Sequence, residues 1–265
     1  MWADVHRRRR ALVPTGSARA RVFVFRPIDF VWLIGAPLMA AGCSQPVATN
    51  AQARGEALFE SRALSPSRLN FFTCATCHQA QVDPDDPYVR PGAALAGATD
   101  RPSFWGGQEN DLLRAINACR KQFMFASAPL AAADPDAEAL YAYLLTLEPG
   151  DSAPAPFTIV RSVLDLPRGE SQGGARVFAR TCALCHGSMH EGQGRLDERV
   201  PVLPEQTLAE HAEYGKRSQR LIFIEKIRHG GFLDYGGEMP PYARETLADS
   251  EVSDLLEAMQ VTGEE

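Results

Sequence analysis

The chain has 265 residues, room for two small domains that each bury a core. With 45% hydrophobic and 23% charged residues, its composition is that of an ordinary globular protein and excludes a low-complexity or fibrous chain. The formal charge of −6 argues against nucleic acid as a partner, and no G-x-G-x-x-G or P-loop offers a nucleotide site.

The N-terminus departs from this average. His6 to Arg10 is a basic run, and Arg19, Arg21 and Arg26 follow it. An apolar stretch, Phe30 to Gly42, then ends in Ala40-Ala41-Gly42-Cys43. Basic region, short apolar region and small residues in that order predict an export signal. The apolar run is too short to cross a hydrocarbon core of about 30 Å comfortably, and Pro37 interrupts it. Its small-small-Gly-Cys end resembles the lipobox of bacterial lipoproteins, with Ala40 where Leu is usual. That resemblance implies a signal peptide over residues 1–42, a lipidated Cys43 and a tether over 43–50. Ser44 in place of Asp implies sorting to the outer membrane. Loss of 1–42, with its seven Arg and two Asp, would take the charge from −6 to −11.

Six cysteines follow a pattern. Cys74-Ala75-Thr76-Cys77-His78 and Cys182-Ala183-Leu184-Cys185-His186 are both C-x-x-C-H, the attachment signature of c-type haem. On one turn of helix the two thiols reach the two porphyrin vinyl groups, and the adjacent imidazole meets the iron. Thioredoxin-like, zinc or disulfide readings compete. A redox pair has no need of the trailing His, and a zinc site more often shows bare C-x-x-C at both ends. The reading is therefore two covalent haem c groups, held by Cys74, Cys77, Cys182 and Cys185, with His78 and His186 as axial ligands. Haem c is loaded outside the cytoplasmic membrane, in agreement with the export signal.

The surroundings of the motifs repeat in chain order. Gly55 and Phe59 precede the first, Gly174 and Phe178 the second, each pair four apart on one helix face. Each motif leads through a Gly/Pro-rich stretch and a helical segment to a Met, then to an amphipathic helix. The last helices are expected near 135–147 and 249–260, capped by Asp134 and Ser250. Their apolar stripes are Leu140, Tyr141, Leu144 and Leu145, and Val252, Leu255, Leu256 and Met259.

This order is similar to class I cytochrome c. The resemblance implies an all-α fold of two tandem cytochrome c domains, 51–148 and 169–265, joined by a Pro-rich linker over 149–168. It implies that the first helix of each crosses the last, Gly allowing close approach, with an aromatic pair in the contact. The second domain lacks that aromatic partner, so Phe178 would pack on Leu255, Leu256 or Met259.

A class I haem usually carries Met opposite His, which raises the potential and closes the iron. Met124, in Cys119-Arg120-Lys121-Gln122-Phe123-Met124, is the expected ligand in the first domain, as the one thioether there. Cys119 is its rival. The stretch Ala115-Ile116-Asn117-Ala118-Cys119 is similar to the segment that supplies a Cys ligand in sulfur-oxidising dihaem cytochromes. In the second domain Gly236-Gly237-Glu238-Met239-Pro240-Pro241 resembles the distal Met-Pro-Pro loop, with Ile227 to Gly231 part of the same pattern, and Met239 is the expected ligand. His211 and His229 are expected on the surface or the propionate side. Each proximal imidazole also needs an acceptor, expected at the carbonyl of Pro91, and of Pro201 or Pro204. Trp105 is expected either to line the first pocket or to pack in the core.

Two closed irons imply an electron carrier rather than an enzyme, with no catalytic residues. It would serve a periplasmic or membrane-attached respiratory chain, anchored through Cys43 and docking basic redox partners. The alternatives are a dihaem thiosulfate dehydrogenase-like oxidoreductase using Cys119, and a cytochrome subunit of a larger dehydrogenase.

Overall fold

A computed structural model describes residues 50–147, 153–232 and 237–264. The expected signal peptide, Cys43 and most of the tether lie outside these residues, as do 148–152 of the linker region and Gly236.

The first half runs through α1 (Asn50–Glu60), α2 (Cys74–Cys77), α3 (Leu112–Gln122) and α4 (Pro135–Leu144), with 3-10 turns at Arg62–Leu64, Ala98–Asp100 and Trp105–Gly107. The second runs through α5 (Ser171–Thr181), α6 (Ala183–His186), α7 (Glu205–Glu210), α8 (Lys216–Arg228) and α9 (Asp249–Ala258). Among the described residues the only extended pairing is an isolated bridge, Phe104 with Glu109. The fold is all-α.

In each half the first helix packs on the last, α1 on α4 and α5 on α9. Glycine makes both crossings possible. A Cβ on Gly55 would overlap the Ala139 carbonyl, and one on Gly174 would overlap that of Asp254. Phe59 meets Tyr143 across the first crossing, ring centroids 5.7 Å apart. Phe178 shares one buried cluster with Leu255, Leu256 and Met259.

Helix ends depart from expectation in two places. α4 stops at Leu144, so Leu145 becomes the C-cap and is 49% exposed instead of continuing the apolar stripe. Asp134 caps α4, accepting from the Asp136 N–H (3.0 Å), but Ser250 does not cap α9. That helix starts one residue before Ser250, and the Glu251 carboxylate accepts from the Ala248 N–H (2.8 Å) instead.

The described part of the linker is a strap laid over both halves. Phe157 stands edge-on to Trp105 and to Phe232, each 5.8 Å away, and Trp105 stacks on Phe232 at 4.8 Å. The Thr158 N–H donates to Glu245 (3.0 Å). The buried Arg220 ties the strap's end, donating to Asp165, Leu166 and Pro167 at 3.0–3.2 Å. His229 is 4% exposed, not a surface group, and its Nε2 pairs with the Val160 carbonyl. Because Val160 arrives from 69 residues away, no local pattern could announce this partner.

Candidate functional site

Local sequence places the two motifs differently. The first stands on its own turn of helix, made possible by a capping box. Thr73 Oγ1 accepts from the Thr76 N–H and Thr76 Oγ1 from the Thr73 N–H, each at 3.1 Å. The second continues α5, with the Cys182 N–H donating to Phe178 O (2.9 Å) and His186 N–H to Cys182 O (2.9 Å).

Both motifs open onto cavities. Cys74, Cys77 and His78 line the first, together with Met124, Cys119 and Trp105. Cys182, Cys185 and His186 line the second, together with Met239. Each expected ligand thus reaches the expected chamber, and the first holds both rivals. Trp105 also hydrogen-bonds Ala115 O through Nε1 (3.3 Å).

Each proximal ring is fixed by one hydrogen bond. His186 Nδ1 donates to Pro201 O (2.9 Å). His78 Nδ1 donates to Ala93 O (2.7 Å), not to Pro91. Gly92 explains the difference: its Cα lies so close to the His78 ring that a Cβ there would overlap it, and its N–H donates to Cys77 O (2.9 Å). The chain turns at Gly92, and the carbonyl that faces the imidazole is the one after it. In both sites Nδ1 carries the proton and Nε2 keeps its lone pair for a metal. Burial pushes both imidazoles below their ordinary pKa, opposed in part by those carbonyl bonds. They stay neutral and ready to ligate.

Among the described residues the five cysteines form no disulfide. Burial pushes Cys74 and Cys119 up to about 12, Cys182 and Cys185 up to about 11, and Cys77 well above its ordinary value. Among the described residues no three His, Cys, Asp or Glu side chains gather as they would around a bare metal ion. Paired neutral thiols, an imidazole with a free Nε2, and largely apolar walls fit haem c and do not fit zinc.

The Met239 loop is braced from behind. The Gly231 N–H donates to Met239 O (2.8 Å) and the Tyr242 N–H to Ile227 O (2.8 Å). Arg228, 4% exposed, donates to Tyr242 O (2.9 Å), Leu247 O (2.8 Å) and Asp249 (2.6 Å). Sequence reasoning included Arg228 in the pattern of the Met239 loop without giving its side chain a role, and missed Tyr242. The available signal was the place of Arg228 on the buried face of α8 with Phe223, Ile224 and Ile227.

The cavities are neighbours. Phe72, Cys77, Pro91 and Pro240 line both. Pro156 and Phe157 of the strap, with Pro241 and Thr246 from the second half, complete the first.

An all-helical unit that presents C-x-x-C-H thiols and a fixed imidazole to an apolar chamber has the parts by which c-type cytochromes hold haem covalently for electron transfer. More particularly, residues 169–257, within the second half, match the family model described as cytochrome C oxidase, cbb3-type, subunit III. No curated protein matches the chain. Among solved structures it is similar to thiosulfate dehydrogenase (TsdBA) from Marichromatium purpuratum, as isolated, at 18% identity and a TM-score of 0.38. That likeness covers 79% of this chain and 45% of the other, so the chain spans less than half of its structural neighbour.

Proposed function

We propose that the protein is a dihaem electron carrier, with one haem c in each cavity. Cys74 and Cys77 would hold the first haem and Cys182 and Cys185 the second, with His78/Met124 and His186/Met239 as axial pairs. The observation that carries this reading is the shared wall, where Cys77 belongs to both chambers. Two haems so placed exchange electrons within the chain. Haem supplies the one-electron chemistry; the protein sets potential, orientation and access.

The carrier would be exported and attached by a lipid at Cys43 to the periplasmic side of a membrane, as an outer-membrane lipoprotein. Among the described residues no helix is long and apolar enough to cross a membrane. Its partners would be redox proteins with basic docking surfaces.

The test is a haem count per chain with oxidised and reduced spectra of wild type, Met124→Ala and Met239→Ala. Two haems, with each substitution removing part of the weak absorption band of Fe–S(Met) bonding, are expected. One haem per chain would overturn the dihaem reading.

A second reading rests on Cys119, which lines the first cavity beside Met124. With Cys119 on the first iron, the protein would be a thiosulfate dehydrogenase-like oxidoreductase. An unchanged spectrum in Met124→Ala, with thiosulfate turnover lost in Cys119→Ser, would establish it over the carrier.

A further inference from the structure

We propose that the Tyr242 hydroxyl is a positioning group that locks the two cavities into one frame, so that ligand geometry at one iron is tied to that at the other. This deepens the dihaem reading and rests on it.

Tyr242 is 5% exposed and belongs to the apolar cluster of the second half. A phenol in such a cluster is costly unless its hydroxyl is paired. It is paired to two segments far from it in sequence. Its O–H donates to Thr181 O at 2.6 Å, and Val89 O stands at 3.3 Å. Thr181 ends α5, where helix carbonyls lack partners within the helix.

These contacts reach the functional atoms by short covalent paths. Thr181 is bonded to Cys182, an attachment cysteine of the second site. Tyr242 itself lies three residues after Met239, the axial candidate of that site. Val89 belongs to the first half, and its N–H donates back to Arg180 O (2.7 Å), so it is stitched to the end of α5. Arg90, next in the chain, donates to Ala75 O inside the first C-x-x-C (2.5 Å) and pairs with Asp86 (3.0 Å). Two residues beyond Pro91, Ala93 accepts from His78. One hydroxyl thus joins the Met239 loop, the second attachment site and the segment that fixes the proximal His of the first.

A group with only a packing role would be replaced by phenylalanine without redox consequence. The test is a spectroelectrochemical titration of the full holoprotein carrying Tyr242→Phe, with haem content measured in parallel and Met239→Ala used to assign the second site. Losing the hydrogen bond frees the Met239 loop and weakens Fe–S bonding, which lowers that potential. At the wild-type midpoint the reduced fraction relative to oxidised at the second site is expected to fall about fivefold. The first site's midpoint is expected to move in the same variant. Tyr143→Phe, at the α1/α4 crossing, is expected to move neither. Should Tyr242→Phe fail to accumulate, Arg90→Gln, which cuts the same path at Ala75, is expected to give the linked shift. Titrations that superimpose on wild type, or a shift confined to one site, would overturn the proposal. A wild-type protein with a single haem would overturn it together with the dihaem reading, and the haem count tells these failures apart.

Discussion

Arg199 donates through Nε and Nη2, one edge of its guanidinium, to the two oxygens of Asp197 at 2.8 and 3.1 Å, and through Nη1 to the Arg68 and Leu69 carbonyls, with its head over the Phe71 ring. Hydrogen bonds from Arg199 hold the Asp197 carboxyl down to about 2. A carboxyl with a folded-state pKa below its unfolded value stabilises the fold above the unfolded pKa, and that stability is lost as pH falls through the folded value. The melting temperature of Asp197→Asn should therefore lie below wild type by a constant interval near neutrality. Melting curves should show that interval closing between about pH 4 and pH 2. An interval independent of pH would show that charge on Asp197 plays no part.

Residue-scale chemistry was legible wherever the pattern is contiguous. C-x-x-C-H and Met-Pro-Pro each fit within six residues, and the side chains they name line the two chambers. The acceptor for His78 was misplaced by two residues because it depends on how Gly92 lets the chain pass the ring. Tyr242 was missed because its acceptors lie 61 and 153 residues away.

At the scale of elements, the two helix crossings are the fold's fixed points, and glycine is the reason they can be close. Gly55→Ala removes some backbone entropy from the unfolded chain, worth under about 1 kcal/mol. It also drives a methyl into the Ala139 carbonyl, which forces α1 and α4 apart. Overpacking of this kind costs about 1–3 kcal/mol or more and should win. Denaturant unfolding of Gly55→Ala and of Gly174→Ala should each show a net loss of about 2 kcal/mol. Unchanged midpoints would mean that the crossings yield easily. The resemblance to class I cytochrome c, carried in part by the Gly/Phe spacing, implied these crossings. The helix ends were less so, since Leu145 and Ser250 carry the right residue types for roles that the backbone gives to their neighbours.

At the scale of the molecule, the strap decides how independent the halves are. Phe157 stands edge-on to the stacked pair of Trp105 from the first half and Phe232 from the second, and it walls the first cavity. On the dihaem reading, Phe157→Ala should admit small exogenous ligands such as imidazole to a haem in the first cavity faster than in wild type, while one in the second is unaffected. Stopped-flow spectra would show this, and equal rates would mean that the cavity is closed by other residues. The net negative charge makes a separate prediction: electron transfer to a basic partner should slow as ionic strength rises, because screening shortens to about 8 Å at physiological salt. A rate flat in salt would refute charge-guided docking. None of the strap's contacts could be read from its sequence, because a Pro-rich stretch signals only that no helix forms there.

The first chamber borrows its remaining walls from residues 156, 157, 240, 241 and 246. These follow the first C-x-x-C-H in the chain, the last three from near its far end, and so cross a membrane after it during N-to-C export. A cofactor joined to Cys74 and Cys77 as soon as those thiols emerge would wait, partly uncovered, for the rest of the polypeptide to close over it. On the dihaem reading the first half would not close its chamber by itself, and a gene split at its linker would yield a first product with a chamber open on one side.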